Sequence, residues 1–305
     1  MTVAVPVRRV QEPLRSAGRI VGALASGDRV GVAAVVFIAF VIVVAVFAPI
    51  ISPYDPVHTT SDTLAAPSIH HPFGTDQFGR DVLSRVIWGA RIILLAPVVG
   101  IAISTVAGVP LGLLAGYSTR WISAVIMRAM DVMLAFPGLL LVLIVVTIIG
   151  SGLVNVMIAI GISFIPVFAR VVYGSTLAAR GQDYVLAAKA VGCSPLRIMA
   201  FHILPNVTTQ IIVIASSAIG WAILTATTLN FLGFGVKLPT PDWGADLSAG
   251  KDWLSLGWWI ATFPGLAITA MILASNYLGD QVAAVFDPQS HWRDNASRVG
   301  GEEVS

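Results

Sequence analysis

The chain has 305 residues, of which 56% are hydrophobic and only 11% are charged. Soluble domains carry about 25% charged residues, so this composition excludes an ordinary water-soluble protein and indicates a chain that lies mostly in a lipid bilayer. The net charge of +2 is too small to indicate nucleic-acid binding. The single cysteine, Cys193, excludes an intrachain disulfide and a cysteine-based metal site.

The first long apolar run is predicted to be a membrane span that is retained. Five arginines fall within residues 1–29, and no charge occurs from Val30 to Ile51. A basic start before an apolar run is typical of a signal peptide, but this run is too long for one and ends in a poor cleavage site. We therefore expect an N-terminal tail over 1–29 and a first transmembrane helix over 30–51.

Further charge-free stretches predict five more spans, which gives an all-α polytopic membrane protein with six transmembrane helices. The 38 residues between Asp131 and Arg170 are too many for one helix, and Gly150 and Gly152 divide them. The other predicted spans lie between Arg91 and Arg120, from Val207 to Asn230, and from Trp258 to Gly279.

Lysine and arginine are distributed unevenly between the two sides of the predicted membrane. Because six spans return the chain to its starting side, both termini share one side, and that side holds 13 of these residues against 5 on the other. Positively charged loops stay in the cytoplasm, so we expect both termini to be cytoplasmic.

Two predicted extracytoplasmic segments, 52–90 and 231–257, are long enough to fold. In the first, residues 80–91 are predicted to form a short amphipathic helix on which Asp81 and Arg85 pair across one turn. Four tryptophans in or beside the second are interpreted as anchors at the membrane–water interface: Trp243, Trp253, Trp258 and Trp259.

A cytoplasmic loop over 174–205 has a helical pattern of its own. Residues 182–191 are predicted to form a helix that ends at Gly192, which suits a left-handed helix C-terminus. Ser194 is a favourable N-cap and Pro195 a favourable first residue for a second helix, which we expect to stop before Pro205. Two short helices around a tight turn indicate a surface that a partner grips.

This loop resembles the EAA loop of bacterial ABC-importer permeases. That pattern is Glu-Ala-Ala, three residues, Gly, nine residues, Ile, one residue and Leu-Pro. Residues 183–206 read DYVLAAKAVGCSPLRIMAFHILPN, and the matching positions are Ala187, Ala188, Gly192, Leu204 and Pro205. Leu186 replaces the glutamate, and His202 replaces the isoleucine. Asp183, three residues earlier on the same helix face, is the candidate substitute for the missing acid.

The chain also resembles dipeptide/oligopeptide permeases of the C-subunit type from about residue 30 to 288. Six further segments carry this resemblance in order: His71–Arg85, Gly108–Tyr117, Met127–Pro137, Leu229–Gly235, Pro239–Gly244 and Phe263–Ala267. Ordered matches over that length are much stronger than any one motif.

The resemblance implies a type I ABC importer permease fold and a non-catalytic transmembrane subunit in the plasma (inner) membrane of a bacterium. It implies two separate ATPase subunits that bind ATP and Mg and grip the loop, a B-type permease as heterodimer partner, and an external substrate-binding protein. The sequence agrees that ATP binds elsewhere, because Gly250-Lys251-Asp252 does not form a phosphate-binding loop. The permease core is expected over 91–280, with a cytoplasmic C-terminal tail over 281–305.

Relatives of this type carry dipeptides, oligopeptides or nickel, so peptide is the expected substrate and nickel the alternative. The fifth span contains polar residues that either line the translocation path or hold helices together: Ser216, Ser217, Thr225, Thr228 and Asn230.

Two other functions conflict with the sequence. An intramembrane enzyme needs a nucleophile and a base at membrane depth, but all five histidines fall outside the predicted spans. A secondary transporter uses ionisable residues near the bilayer midplane, and the predicted span centres carry none. We interpret His58, His70 and His71 as solvated loop residues rather than metal ligands, since no acidic or cysteine ligand accompanies them in tight spacing.

Overall fold

The computed structural model describes residues 29–286, with the backbone alone at Phe286. Most of the two predicted tails, including Arg8 and Arg293, therefore lies outside the described residues. Within 29–286 the elements are helical, apart from one isolated bridge between Thr75 and Asp81. The helices are α1 Arg29–Ile51, α2 Val82–Tyr117, α3 Arg120–Leu134, α4 Gly138–Ile149, α5 Leu153–Arg180, α6 Asp183–Ala190, α7 Pro195–Ile198, α8 Leu204–Phe231, α9 Trp243–Gly250 and α10 Trp258–Phe286, with a π-helical turn Met199–Ile203 and a 3₁₀ turn Lys251–Trp253.

The structure agrees with six spans when one bent helix pair is counted as a single span. Five stretches are long and apolar enough to cross a bilayer, namely α1, α2, α5, α8 with the turns before it, and α10. The sixth is the pair α3 and α4, whose axes differ by 95°. The first and last spans begin within one residue of their predicted starts, and α10 continues past Gly279 to Phe286.

The third span is not the single helix that the sequence predicted between Asp131 and Gly150. The chain leaves α3 at Leu134, and Pro137 at the corner has extended backbone angles, φ −52° and ψ 132°. Proline has no N–H for the helical ladder, and it disfavours the helical conformation in the residue before it. The separation of this span from α5 at Gly150 and Gly152 is confirmed.

The tightest helix pairing joins α2 to α5 and depends on small residues. A Cβ atom at Gly108 would lie 2.7 Å from Cβ of Phe168, and one at Gly112 would lie 2.5 Å from the carbonyl oxygen of Ala169. Such positions let helix backbones approach closely inside a membrane. Phe168 and Ile160 of α5 are fully buried against this seam.

The helix bundle has two ends, which we name the α6 end and the α9 end after the short helices that they carry. At the α9 end, residues 52–81 fold over the start of α10. Phe73 stacks on Phe263 with ring centroids 3.9 Å apart, and Nε1 of Trp259 donates to the carbonyl of Thr75 at 3.0 Å. Trp243 is 2% exposed and donates Nε1–H to Val86. Interfacial anchoring is therefore wrong for Trp243 and Trp259, which are core residues.

The predicted short helix over residues 80–91 is the first part of α2, which runs without a break to Tyr117. The predicted Asp81–Arg85 pair is also wrong. Asp81 is the N-cap of α2, where Oδ2 accepts from the backbone N–H of Ser84 at 2.7 Å. Its Oδ1 lies 2.9 Å from Nδ1 of His71, so His71 is a packed residue and not a solvated one. Capping draws the carboxylate towards the helix N-terminus and away from Arg85.

Candidate functional site in the 174–205 loop

The turn after α6 has the predicted left-handed geometry. Gly192 has φ +80°, its N–H donates to Lys189, and the N–H of Cys193 donates to Ala188, each at 3.0 Å. These two bonds form a Schellman motif, which satisfies carbonyl groups that a helix end leaves unpaired. No atom lies within 4 Å of the position that a Cβ on residue 192 would occupy, so the backbone angle, and not a lack of space, favours glycine here.

The start of the second helix is also as predicted, but its end is not. Oγ of Ser194 accepts from the N–H of Arg197 at 3.4 Å, and Pro195 is the first residue of α7. The helix does not stop before Pro205; it passes through the π-helical turn into α8. In that turn the N–H of Leu204 donates to Met199, five residues back. The wider turn accommodates a proline that lacks an N–H.

One face of the loop is anchored in the bundle. The side chains of Val185, Ala188, Ile198 and Ile203 are buried and belong to the core that α2, α5 and α8 share. Two cations then join the loop region to the end of α2, because Lys189 lies over the ring of Tyr117 at 5.2 Å and Nη1 of Arg180 donates to the carbonyl of Gly116. These contacts hold the loop against the ends of the transmembrane helices.

The rest of the loop is exposed and mixes polar and charged side chains with large apolar ones. Leu186 is 50% exposed, Leu196 75% and Val191 79%, and we call these three side chains the docking face. Asp183, at the start of α6, and Ala187 are exposed too, whereas Ala188 is buried. Large apolar side chains that are exposed together on a short loop are typical of interaction sites. Of the other predicted loop residues, Leu204 is half-buried and Pro205 exposed at the start of α8.

The candidate path residues of α8 separate into three groups. Ser216 and Ser217 donate to Val213 in their own helix and lie against α10, where a Cβ at Gly279 would be 2.9 Å from Cα of Ser217. Ser216 and Ser217 therefore lie where α8 packs against α10. Thr225 and Thr228 also bond within α8 but lie on its more exposed side, beside Trp221 and Leu224.

Asn230 does not line a path in this chain. It is 3% exposed, and its Nδ2 donates to Oδ2 of Asp242 at 2.8 Å, which joins α8 to α9. Oδ1 of Asp242 accepts from the N–H of Ala245 and caps α9. Burial raises the pKa of Asp242 to about 6, and the nearby charge of Asp246 adds to this effect.

A buried ionic cluster at the α9 end was missed at the sequence level. Nε and Nη2 of Arg85 donate to Oδ1 of Asp246 at 3.0 and 2.5 Å, and Nη1 donates to the carbonyls of Pro56 and Pro239 at 3.0 Å each. Asp76 and Arg80 form a second buried pair close by. The one available signal was the presence of several arginines beside predicted spans, where unpaired charge is unfavourable.

Within residues 29–286, no three histidine, cysteine, aspartate or glutamate side chains are grouped in a way that would hold a metal ion. His71, apart from its contact with Asp81, packs against the ring of Tyr54 at 4.9 Å.

Comparison with known proteins gives matches along most of the chain. The family model described as "Binding-protein-dependent transport system inner membrane component" matches residues 108–291. A second model, "N-terminal TM domain of oligopeptide transport permease C", matches residues 26–69.

Two curated relatives illustrate the similarity. The chain is 40% identical over 260 residues to the di/tripeptide transport system permease protein DppC of Pseudomonas aeruginosa. This alignment covers 83% of this chain and 86% of that protein. It is 41% identical over 264 residues to the glutathione transport system permease protein GsiD of Pectobacterium atrosepticum, with coverages of 86% and 88%.

Among solved structures, an inward facing conformation of the MetNI methionine ABC transporter matches with a TM-score of 0.53. The match covers 66% of this chain and 96% of that chain at 16% identity, so it concerns the fold alone.

Proposed function

Because the chain belongs to the family of binding-protein-dependent transport system inner membrane components, we propose that it is the C-type permease subunit of an ATP-driven peptide importer. It is a multi-pass inner membrane protein with the type I ABC importer permease fold, and its family consists of transport components. The chain supplies part of the translocation path and no catalytic residue.

The observation that carries this proposal is the docking face, on a loop whose buried side chains pack into the helix bundle. Leu186, Val191 and Leu196 are exposed, while Val185 and Ile198 anchor the loop in the core of the helix bundle. A partner that binds such a face can transmit movement to α2, α5 and α8. We assign that partner to an ATPase subunit, and Asp183, Ala187 and the Gly192 turn to the same contact.

The proposed importer also needs ATPase subunits, a second permease and a binding protein. It has no phosphate-binding loop, so ATP and Mg bind to two partner ATPase subunits. One chain offers one docking face, so a second, B-type permease provides the other half of a heterodimer. An external binding protein delivers the solute. The α6 end and both termini are cytoplasmic in this arrangement, as the distribution of lysine and arginine favours.

Peptide is the substrate class that the relatives support. The two curated relatives are named for di/tripeptides and for glutathione, which is itself a peptide. Thr225 and Thr228 are our candidates for the part of the path that α8 contributes, because they lie on its more exposed side. Residues Ser216, Ser217 and Asn230 are assigned to packing and not to the path.

The test is uptake by the reconstituted importer. The two permeases, the ATPase subunits and the binding protein are placed in liposomes with internal ATP, and radiolabelled dipeptide, glutathione and Ni²⁺ are supplied in turn. We expect ATP-dependent uptake of peptide and none of Ni²⁺. Uptake of Ni²⁺ but not of peptide would replace the substrate assignment. If no solute is taken up and the ATPase subunits do not bind to the permeases, the importer assignment itself is refuted.

A further inference from the structure

A small cavity of about 10 Å³ lies inside the ionic cluster at the α9 end. This volume is the space open to the centre of a water molecule, and a single buried water needs roughly 10–15 Å³ by the same measure. The residues around the cavity include two acids and two arginines, namely Asp76, Asp246, Arg80 and Arg85. The cavity is therefore polar and has room for about one water molecule.

Two oxygen atoms of residues at this cavity lack a hydrogen-bond donor within the described part of the chain. Oδ2 of Asp246 and Oε1 of Gln77 are both buried and accept no hydrogen bond there. A buried acceptor without a donor destabilises the folded protein, and more so when it carries charge. One ligand that donates two hydrogen bonds would satisfy both atoms.

The geometry of Arg85 explains why the second oxygen of Asp246 is left over. Nε and Nη2 of Arg85 both donate to Oδ1 of Asp246, at 3.0 and 2.5 Å. In the usual paired arrangement each carboxylate oxygen accepts one N–H, so Oδ2 would have its own donor. Nη1 of Arg85 is taken by the carbonyls of Pro56 and Pro239. Because Asp246 is only 6% exposed, bulk solvent does not supply the missing donor.

Charge selects a neutral ligand for this cavity. Asp76 pairs with Arg80 and Asp246 pairs with Arg85, so the two acids and the two bases cancel. A cation would add an uncompensated charge beside two guanidinium groups, and an anion would meet two acceptor oxygens without a donor. Asp242, the next carboxylate, caps α9 and does not line the cavity. Water is neutral and donates two hydrogen bonds.

Arg80 completes the set of partners for a water molecule. Within the described residues its guanidinium donates to the protein through Nε alone, to Oδ2 of Asp76, so N–H groups on its other two nitrogens are available. A buried water typically forms about three hydrogen bonds, which here are two to acceptors and one from Arg80.

We propose that this cavity binds one water molecule, which donates to Oδ2 of Asp246 and Oε1 of Gln77 and accepts from the guanidinium of Arg80. The water joins the segment before α2, which contributes Gln77 and Arg80, to α9, which contributes Asp246. It is a second link between these parts of the chain, beside the bonds of Arg85, and it holds residues 52–81 against α9 through a hydrogen-bonded bridge.

The direct test is a cryo-EM map of the protein in its native membrane complex at a resolution that shows ordered water. We expect one density peak in the cavity, about 2.5–3.2 Å from both oxygens and from Arg80. A map without this peak would refute the proposal, for instance if Nε2 of Gln77 turns to donate directly to Asp246. So would a peak with four or more oxygen ligands at about 2.3–2.6 Å, since that coordination identifies a metal cation.

A second measurement separates water from a monovalent cation. Thermal midpoints are compared in NaCl, NH₄Cl and choline chloride at one ionic strength. We expect equal midpoints, because water is present in all three solutions. A higher midpoint in NaCl or NH₄Cl than in choline chloride would show that a cation occupies the cavity and would overturn the proposal.

Ala249, on the cavity wall in α9, allows the water to be displaced with and without a replacement donor. Ala249→Val fills the space and supplies no donor, so the thermal midpoint should fall by at least about 4 °C. Ala249→Ser supplies a hydroxyl donor and should lose less than half as much. Ala245→Val is the matched control, since Ala245 is also a half-buried alanine of α9 but does not line the cavity. A loss for Ala249→Val that does not exceed those of both other variants would contradict the proposal.

Gln77→Met gives another measurement if Ala249→Val fails to assemble. Methionine has nearly the same length but no carbonyl, so the water loses one acceptor and the thermal midpoint should fall by about 2 °C. If Oε1 is instead an acceptor without any donor, its removal stabilises the protein and the midpoint should rise. A midpoint that rises or stays unchanged would refute the water site.

Discussion

Arg85 and Asp246 form a buried ion pair although 161 residues of sequence separate them. Their side chains are 3% and 7% exposed, and the pair joins the first turn of α2 to α9. Because the same guanidinium also holds the carbonyls of Pro56 and Pro239, one side chain links four segments at the α9 end. This cluster, together with the buried rings of Trp243 and Trp259, holds that end of the chain together.

Breaking this pair from one side should destabilise the protein strongly. Asp246→Ala leaves a buried guanidinium without its counter-charge, and we expect the free energy of unfolding to fall by about 3–5 kcal/mol. The double variant Arg85→Leu/Asp246→Leu should lose less than the sum of the two single changes, as chemical denaturation in detergent would measure.

The matched control is the exposed pair of Arg170 and Asp131, with side chains 54% and 44% exposed. Asp131→Ala should change the free energy of unfolding by no more than about 1 kcal/mol. Equal losses for Asp131→Ala and Asp246→Ala, or strict additivity of the Arg85 and Asp246 changes, would contradict the assignment.

Asp242 should make the α9 end more stable in mild acid than at neutral pH. Burial raises its pKa to about 6 from an ordinary value of 3.8, so the folded protein binds a proton more tightly than the unfolded chain. The free energy of unfolding therefore falls as the pH rises between these values, by about 3 kcal/mol in total from this group. Asp242→Asn can still cap α9 and removes the titration.

The measurement compares thermal midpoints of the wild type and Asp242→Asn from pH 4 to pH 7. We expect the wild type to lose stability relative to the variant over this range. Curves that run parallel would show that Asp242 does not titrate as its burial implies.

Local chemistry made the 174–205 loop predictable. A left-handed helix end favours glycine, and an N-cap favours a short polar side chain before the first turn. Gly192, Ser194 and Pro195 have these preferences at the right positions, so these three residues alone predict the turn. The same reasoning failed at Pro205, because tertiary packing of Ile198 and Ile203 keeps the helix intact through a π-helical turn.

The α9 end depended on contacts that sequence spacing does not encode. Asp81 was paired with Arg85 because they are four residues apart, yet the real partner of Arg85 lies in α9. Trp243 was assigned to the interface by composition, but Gly89 leaves room for its ring in the core, where a Cβ would lie 2.5 Å from Cδ1 of Trp243. Only the three-dimensional arrangement reveals such a fit.

Topology can be tested with cysteines at exposed positions. Asp246, in the second predicted extracytoplasmic segment, is buried and is a poor probe, whereas Ile69 and Leu256 at the α9 end are exposed. In a Cys193→Ala background, Ile69→Cys and Leu256→Cys should react with a membrane-impermeant maleimide from outside intact cells. Native Cys193 should react only after permeabilisation. Reaction of Cys193 from outside would invert the orientation.

Leu186 should make the ATPase contact of this chain apolar where the family pattern has an acid. Leu186→Glu introduces the pattern residue, and we expect it to weaken ATPase binding by about tenfold or more, because the contact loses a buried leucine and gains a charge. Co-purification at graded ATPase concentration measures this. Leu256→Glu changes another exposed leucine, at the α9 end, and should have no effect. Tighter binding of Leu186→Glu would show that the partner surface is basic.

The turn at Gly192 should transmit force between this chain and an ATPase. Glycine tolerates φ +80° freely, whereas a residue with a side chain is disfavoured there by at least about 1 kcal/mol, so Gly192→Val should redirect α7 without touching the spans. Gly181→Val is the matched control, since Gly181 lies in the same region and an added Cβ would meet nothing within 4 Å at either glycine, but Gly181 has φ −89°. Both variants should insert and assemble with the partner permease. Only Gly192→Val should lose peptide uptake and the stimulation of ATP hydrolysis by substrate-loaded binding protein. Wild-type uptake and stimulation in Gly192→Val would mean that this turn is an ordinary solvated one, and the coupling role would then have to be assigned elsewhere on the chain.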